Sequence, residues 1–201
     1  PAASAPLQLL AGPGDTAWVL YRRVNGFSIP RIEARLIASD DAIGPVAQVA
    51  YGPYEAAAAV NPQDGSLVAV VPGQSQGLVT AVPVSTGATV GGAVVVRPSN
   101  PPLNPPASPF ASTTNPAIGI DAGGIATAGW QLEVNGSPRI VQVRRLNATA
   151  MTTLGGAPTS LDDGLATDYN QYGPTIAVTP GGAAAAGWYE TTSFSDTNNA
   201  I

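Results

Sequence analysis

Two short motifs recur along this chain, and their recurrence limits the possible folds more than any other feature of the sequence. In the segment Asn115–Leu146, Pro116 precedes Trp130 by 14 residues, with Gly-Gly between them. The same spacing separates Pro174 from Trp188, again around Gly-Gly. A second motif, Val-Asn-Gly followed by Pro-Arg-Ile, begins at Val24 and returns later at Val134. Self-similarity on this scale is typical of repeat architectures.

Each repeat is predicted to be an antiparallel meander. Apolar and polar residues alternate from Ala126 to Val134, which is the period of a strand with one buried face. Asn135-Gly136 follows directly, and Asn-Gly supplies the positive φ angles of a tight hairpin. A second apolar run covers residues 140–143, and a shorter strand is expected at residues 117–121, before Gly123-Gly124.

Further copies of the repeat define the predicted domain organisation. Tyr-Gly-Pro occurs at residues 51–53 and again at residues 172–174, and we place the starts of the units near Pro6, Pro53, Pro116 and Pro174. We therefore predict a single all-β repeat domain over residues 1–201, made of repeated antiparallel meanders and β-propeller-like. A β-sandwich of duplicated meanders is the alternative.

Two segments interrupt the predicted strands. Residues 98–109 contain six prolines, which favour an extended polyproline conformation and cannot pair in the middle of a sheet. We interpret this segment as an insertion between units. Residues 157–172 are polar and are predicted to form a long loop before the last unit.

Composition excludes several classes of function. The chain has no His, which removes the usual general base and zinc ligand, and no Cys, which removes thiol catalysis. Its net charge of −5 argues against nucleic acid as a partner, because binding phosphates needs a basic surface. No apolar run is long enough for a membrane span. We predict no cofactor and no metal site.

Candidate ligand-binding residues lie near the starts of units and in the long polar loop. Exposed tyrosines can stack on sugars or bind proteins, and the loop offers carboxylate oxygens. The alternative for the tyrosines is that Tyr-Gly-Pro anchors the entry into a strand, and the alternative for the carboxylates is a solvated acidic loop. The six candidates are Tyr51, Tyr54, Tyr169, Tyr172, Asp162 and Asp163.

No catalytic residue can be assigned from the sequence. Ser and Thr are abundant, but they have no His that could act as their base. Glu133 and Glu190 closely follow Trp130 and Trp188, so they are expected on the repeat surface. The three tryptophans, Trp18 included, are predicted to lie between sheets in the core.

The segment from Pro116 to Trp130, followed by Arg139–Leu146, resembles extracellular β-propeller-like repeat proteins of high-GC bacteria. That resemblance implies a propeller-like fold and a secreted or surface-exposed protein. Residues 120–130 are also similar to the Asp-box of sialidases, and residues 27–30 to their Phe-Arg-Ile-Pro motif. The substrate-binding Arg of that motif is Ser28 in this chain.

These observations lead to three functional hypotheses. The first is a non-enzymatic extracellular module that binds carbohydrate or protein through its loops. The second is a structural subunit of a surface layer, sheath or filament. Here a second copy would complete the last unit, although the chain could also be a piece of something longer. The third is a glycosidase that uses Asp162 and Asp163.

Overall fold

The structure is a computed structural model that describes residues 3–24, 29–52, 55–73, 77–98, 111–134, 139–161 and 169–192. Within these ranges the chain forms 14 strands and no helix, and every strand pairing is antiparallel. Three sheets have four strands each, in sequence order, and a fourth has two described strands.

The sheets follow one another along the chain. The first sheet contains β1 (Ala3–Ala11), β2 (Ala17–Val24), β3 (Arg31–Ile37) and β4 (Ala47–Tyr51). The second contains β5 (Ala57–Val60), β6 (Leu67–Pro72), β7 (Val79–Val84) and β8 (Val94–Arg97). The third contains β9 (Ala111–Ile120), β10 (Ile125–Val134), β11 (Ile140–Asn147) and β12 (Thr152–Ser160). The fourth contains β13 (Tyr169–Val178) and β14 (Ala184–Thr192).

Strand β6 shows how the sheets are held together. Its alternate residues Leu67, Ala69 and Val71 pack against the first sheet, and Val68 and Val70 pack against the third. All six residues of β6 are buried. An uninterrupted apolar sequence is what a strand covered on both faces requires. The second sheet is therefore the centre of two hydrophobic layers.

The sheets stack in a propeller-like manner. The first strands contact one another in order, β1 with β5, β5 with β9, and β9 with β13. Outer strands also contact the next sheet, as β8 does with β12. The first strand of each meander thus lies nearest a common axis, and the later strands lie farther from it, as in the blades of a propeller.

The recurring Pro and Trp have a common structural cause. In β9, Asn115 and Pro116 lie opposite Trp130, so that two residues of one strand face one residue of its partner. In β13, Gly173 and Pro174 lie opposite Trp188 in the same way. Asn115 has a φ of 48° and Gly173 a φ of 57°. The 14-residue spacing therefore marks a β-bulge, where Pro is tolerated because the bulge interrupts the ladder.

Trp18 does not share this position. It pairs with Leu10 and Leu36 without a bulge, and its indole nitrogen donates to Gly65 O of the following sheet at 2.9 Å. Trp130 instead packs toward the preceding sheet. The prediction that both are core residues is confirmed, since each is 0 % exposed. Trp188 is only half-buried, so its prediction as a core residue is wrong for the part of the chain that the structure describes.

Asp121, the Asp of the Asp-box-like segment, stabilises a turn. Its carboxylate accepts the Ile125 N–H at 2.8 Å, and its own N–H donates to the Ile125 carbonyl. Thr179 makes the equivalent two bonds with Ala183 in the fourth sheet. An Asp that folds its side chain onto the backbone two to four residues away is a common turn device.

Several predicted boundaries need correction. β9 is twice as long as the predicted strand at residues 117–121, and β4 and β12 were not predicted. The predicted loop over residues 157–172 is wrong at both ends, since β12 reaches Ser160 and β13 begins at Tyr169. Gly and Pro within β9 and β12 conceal their period in the sequence, whereas β4 has only five residues. Most of the Pro-rich segment, residues 99–109, lies outside the described residues.

Replacement of Gly119 tests the close approach of the third and fourth sheets. A Cβ atom at Gly119 would lie 2.5 Å from Val178 Cγ2. We expect Gly119→Ala to lower the free energy of unfolding by about 1–3 kcal/mol, measured by urea denaturation. The matched control is Gly92→Ala, where nothing lies within 4 Å of the new atom.

The same substitution should cost less in a Val178→Ala background, because the clashing methyl group is then gone. Equal costs in both backgrounds would contradict the assigned contact.

Candidate functional site

Aromatic and charged side chains come together where the third sheet meets the fourth. We call this group the seam cluster and define it by seven residues: Glu133, Arg139, Gln171, Tyr172, Trp188, Tyr189 and Glu190. The end of β10 supplies Glu133, Arg139 directly precedes β11, and β13 and β14 supply the others. The cluster therefore depends on the packing of two sheets.

Gln171 joins the two sheets. Its side chain is 4 % exposed, and its Oε1 accepts the Val141 N–H of β11 at 2.8 Å. Its backbone N–H donates to the Arg139 carbonyl at 2.8 Å. The neighbouring Asn170 accepts the Arg139 N–H at 2.9 Å. A strand of the fourth sheet is thereby fixed to the start of β11, which sets the position of the cluster.

Arg139 is held between a carboxylate and an aromatic ring. Its Nε donates to Glu133 Oε2 at 2.8 Å, and its Cζ lies 5.0 Å from the centre of the Tyr172 ring. The hydrogen bond to Glu133 raises the pKa of Arg139. A guanidinium over a ring face is an attractive arrangement, because the ring quadrupole is negative there. Arg139 thus adds a permanent, oriented cation to the cluster.

Tyr172 and Tyr189 form the flat part of the cluster. They face each other across the β13–β14 ladder, with ring centres 5.2 Å apart and ring planes inclined by 13°. Tyr189 is 60 % exposed. A stacked pair loses little conformational freedom when it binds, and the exposed ring is a ready apolar surface for a partner.

Glu190 provides an ionised acceptor on the opposite face of β14 from Tyr189, the face that carries Trp188. Its Oε1 receives hydrogen bonds from Trp188 Nε1 and from Gln171 Nε2, both at 2.9 Å. These two bonds, that from Trp188 first, lower the pKa of Glu190 because they favour its charged form. The carboxylate is therefore negative at neutral pH and fixed in direction.

The ligand-binding residues predicted from the sequence do not come together at one site. Tyr172 belongs to the seam cluster. Tyr169 begins β13 and pairs with Thr192. Tyr51 ends β4 in the first sheet, where it is 59 % exposed and has the Arg31 guanidinium 5.2 Å from its ring centre. Tyr54, Asp162 and Asp163 lie outside the described residues.

Sequence reasoning missed most of the seam cluster. Tyr189 follows the recurring Trp188 directly, but only the strand register places it against Tyr172. Glu133 and Glu190 were expected on the repeat surface, and their partners could not be known. The one available signal was that the third and fourth units carry a carboxylate near the same Trp.

The protonation of the carboxylates limits the chemical roles that they can take. A general acid in glycoside hydrolysis needs a raised pKa, whereas that of Glu190 is lowered. Glu133 is paired with Arg139. The described ranges contain no group of three His, Cys, Asp or Glu residues that could hold a metal ion. They also contain no helix that is long and apolar enough to span a bilayer.

No protein-family model and no curated protein matches this chain. Among solved structures, it is similar to an endo-arabinase from Bacteroides thetaiotaomicron VPI-5482, with a TM-score of 0.53 and 11 % sequence identity. The likeness covers 94 % of this chain and 74 % of that one. At such identity it shows the fold alone. The prediction of an all-β, β-propeller-like fold is confirmed.

The pKa of Glu190 can be measured through its indole partner. As the pH is lowered and Glu190 is protonated, the Nε1–H resonance of Trp188 should shift. The midpoint pH of this shift, measured from nitrogen–proton correlation spectra, should lie below the ordinary glutamate range. The stability that Glu190 contributes should be complete above that range and lost as the pH falls through the lowered pKa.

Trp130 is the internal control for this titration. Its Nε1–H donates to the Gln142 amide oxygen at 3.3 Å, and that amide does not titrate. Its resonance should stay constant over the same pH range. A Trp188 midpoint at or above the ordinary glutamate range would contradict the hydrogen bonds described for Glu190.

Proposed function

We propose that this chain is a non-enzymatic, extracellular β-propeller-like module that binds carbohydrate at the seam cluster. The observation that carries the proposal is the stacked Tyr172–Tyr189 pair, with one ring largely exposed and the Arg139–Glu133 ion pair beside Tyr172. Its extracellular placement rests on the resemblance of the repeats to secreted propeller-like proteins.

The cluster offers each type of contact that a sugar needs. The C–H face of a pyranose or furanose ring is apolar and can lie against the exposed ring of Tyr189. Sugar hydroxyls can donate to the Glu133 carboxylate and accept from its partner Arg139, and such charge-assisted hydrogen bonds are the stronger ones. Because these side chains already bond one another, little ordering is needed when a ligand binds.

A protein partner would use the same surface differently. Tyrosine and arginine are enriched at protein interfaces, but an interface of typical size also needs a larger surrounding apolar area. The neighbouring positions Thr175, Gly187 and Thr191 are small or polar and exposed. We therefore favour a carbohydrate.

Tyr189→Ala should weaken glycan binding by about tenfold, because the stacking surface is lost. The measurement is calorimetry or affinity electrophoresis with a panel of soluble polysaccharides. Arabinan belongs in the panel because of the fold likeness. Tyr51→Ala is the matched control, because Tyr51 is exposed to the same extent (59 % against 60 %) but lies in the first sheet.

The same panel separates binding from hydrolysis. Release of reducing ends from any polysaccharide, retained in Tyr189→Ala, would favour the glycosidase hypothesis over ours. Equal losses in both tyrosine variants, or binding by no member of the panel, would remove the support for the seam cluster as a sugar site.

A further inference from the structure

Two arginines face each other in the first sheet at a place where the third sheet pairs an arginine with a glutamate. Arg23 precedes the first Val-Asn-Gly motif, as Glu133 precedes the second. Arg31 belongs to the first Pro-Arg-Ile motif, and Arg139 belongs to the second. Arg139 donates to Glu133 at 2.8 Å, whereas the register of β2 and β3 places Arg23 directly opposite Arg31. Like charges directly opposite each other destabilise an antiparallel pair, so this exchange of Glu for Arg has an electrostatic cost.

The same face of the first sheet carries one more cation and a single carboxylate. β3 buries Ile32 in the core, so Arg31, Glu33 and Arg35 lie on its other face. Arg23 joins them, because it pairs with Arg31. Three arginines and one glutamate give this face a net charge of +2 (3 − 1 = 2), since β1 and β4 contain no charged residue. The face is therefore positive within a chain whose net charge is −5.

The one carboxylate of this face leaves donors of the arginines available. Glu33 is 3 % exposed, and its Oε2 lies 3.9 Å from Arg23 Nη1, which is too long for a hydrogen bond. The Arg23 side chain is 44 % exposed. In the part of the chain that the structure describes, no carboxylate lies within ion-pair distance of Arg31. An anion that accepted from both guanidinium groups would relieve their mutual repulsion.

Tyr51 adds an exposed aromatic surface beside the two arginines. It pairs with Arg31 across β3 and β4, and its ring centre lies 5.2 Å from the Arg31 Cζ. Its side chain is 59 % exposed, because β4 is the strand of this sheet farthest from the common axis. A ring next to two cations suits a ligand that has both an apolar face and an anionic group.

We propose that Arg23, Arg31 and Tyr51 form a second binding site, which takes a sugar that bears an oxyanion, either a carboxylate or a sulfate ester. The C–H face of the sugar ring lies against Tyr51, and the oxyanion accepts from the two guanidinium groups, whose paired N–H donors match it. This site does not depend on sugar binding at the seam cluster, where Arg139 is already paired with Glu133.

Calorimetry with the full 201-residue chain and two pairs of polymers tests the site. The pairs are polygalacturonate against the same polymer with its carboxyl groups reduced, and dextran sulfate against dextran. At least one charged polymer should bind saturably, and its uncharged counterpart should bind more weakly by about tenfold or more. The pair that shows this difference identifies the anion as carboxylate or sulfate. Binding of neither charged polymer, or equal binding within both pairs, would overturn the proposal.

Three arginine variants distinguish the site from general charge attraction. Arg23→Gln and Arg31→Gln should each weaken binding of the charged polymer by about tenfold, because each removes charge-assisted hydrogen bonds. The matched control is Arg145→Gln, since the Arg145 side chain is 51 % exposed and lies 3.9 Å from Asp121, much as Arg23 lies from Glu33. This control removes the same charge from the chain and should leave binding unchanged. Equal losses in all three variants would overturn the site.

The two exposed tyrosines separate this site from the seam cluster. Tyr51→Ala should weaken binding of the charged polymer by about tenfold and leave binding of a neutral polysaccharide unchanged. Tyr189→Ala should have the opposite effects. Loss of the charged polymer in Tyr189→Ala but not in Tyr51→Ala would contradict the assignment of the anion to the first sheet. Binding of a charged polymer that depends on Tyr51, with no neutral polysaccharide bound, would support this site and remove only the role proposed for the seam cluster.

Discussion

The structure depends on the burial of both faces of a sheet against neighbouring sheets. A single four-stranded meander of this length cannot cover its own apolar surface. β6 makes this explicit, since its alternate side chains enter two different hydrophobic layers and none is exposed. The strand is aliphatic because both of its faces are buried. The architecture follows from this two-sided requirement, repeated along the chain.

The seam cluster is a consequence of the same stacking. Gly119 and Gly129 leave room for Val178 and Ile176, so the third and fourth sheets approach closely. That approach brings Gln171 within hydrogen-bond distance of β11 and aligns Arg139 with Tyr172. The cluster would lose its geometry if the sheets separated. Its proposed sugar-binding role therefore rests on small residues that touch no ligand.

The sequence predicted the meander and much of its detail. The alternation in β10 and the identical Pro-to-Trp spacing led to the correct strand type. β12 was missed because Gly, Pro and short polar residues weaken its period, and β4 because it has only five residues, three of them small alanines or polar. Tyr172 was nominated for the site, but Tyr189, Arg139 and Glu190 were not, because their association depends on register and on contacts between sheets.

The sequence by itself determined the repeat and the strand period, because each depends on residues close together in the chain. Only the tertiary structure decided that Trp18 faces the following sheet and Trp130 the preceding one. It also decided that Trp188 is half-covered, and that two tyrosines stack beside a cation and a carboxylate. Such facts depend on which surfaces meet after the sheets stack, and local patterns carry no information about the neighbour that a face will find.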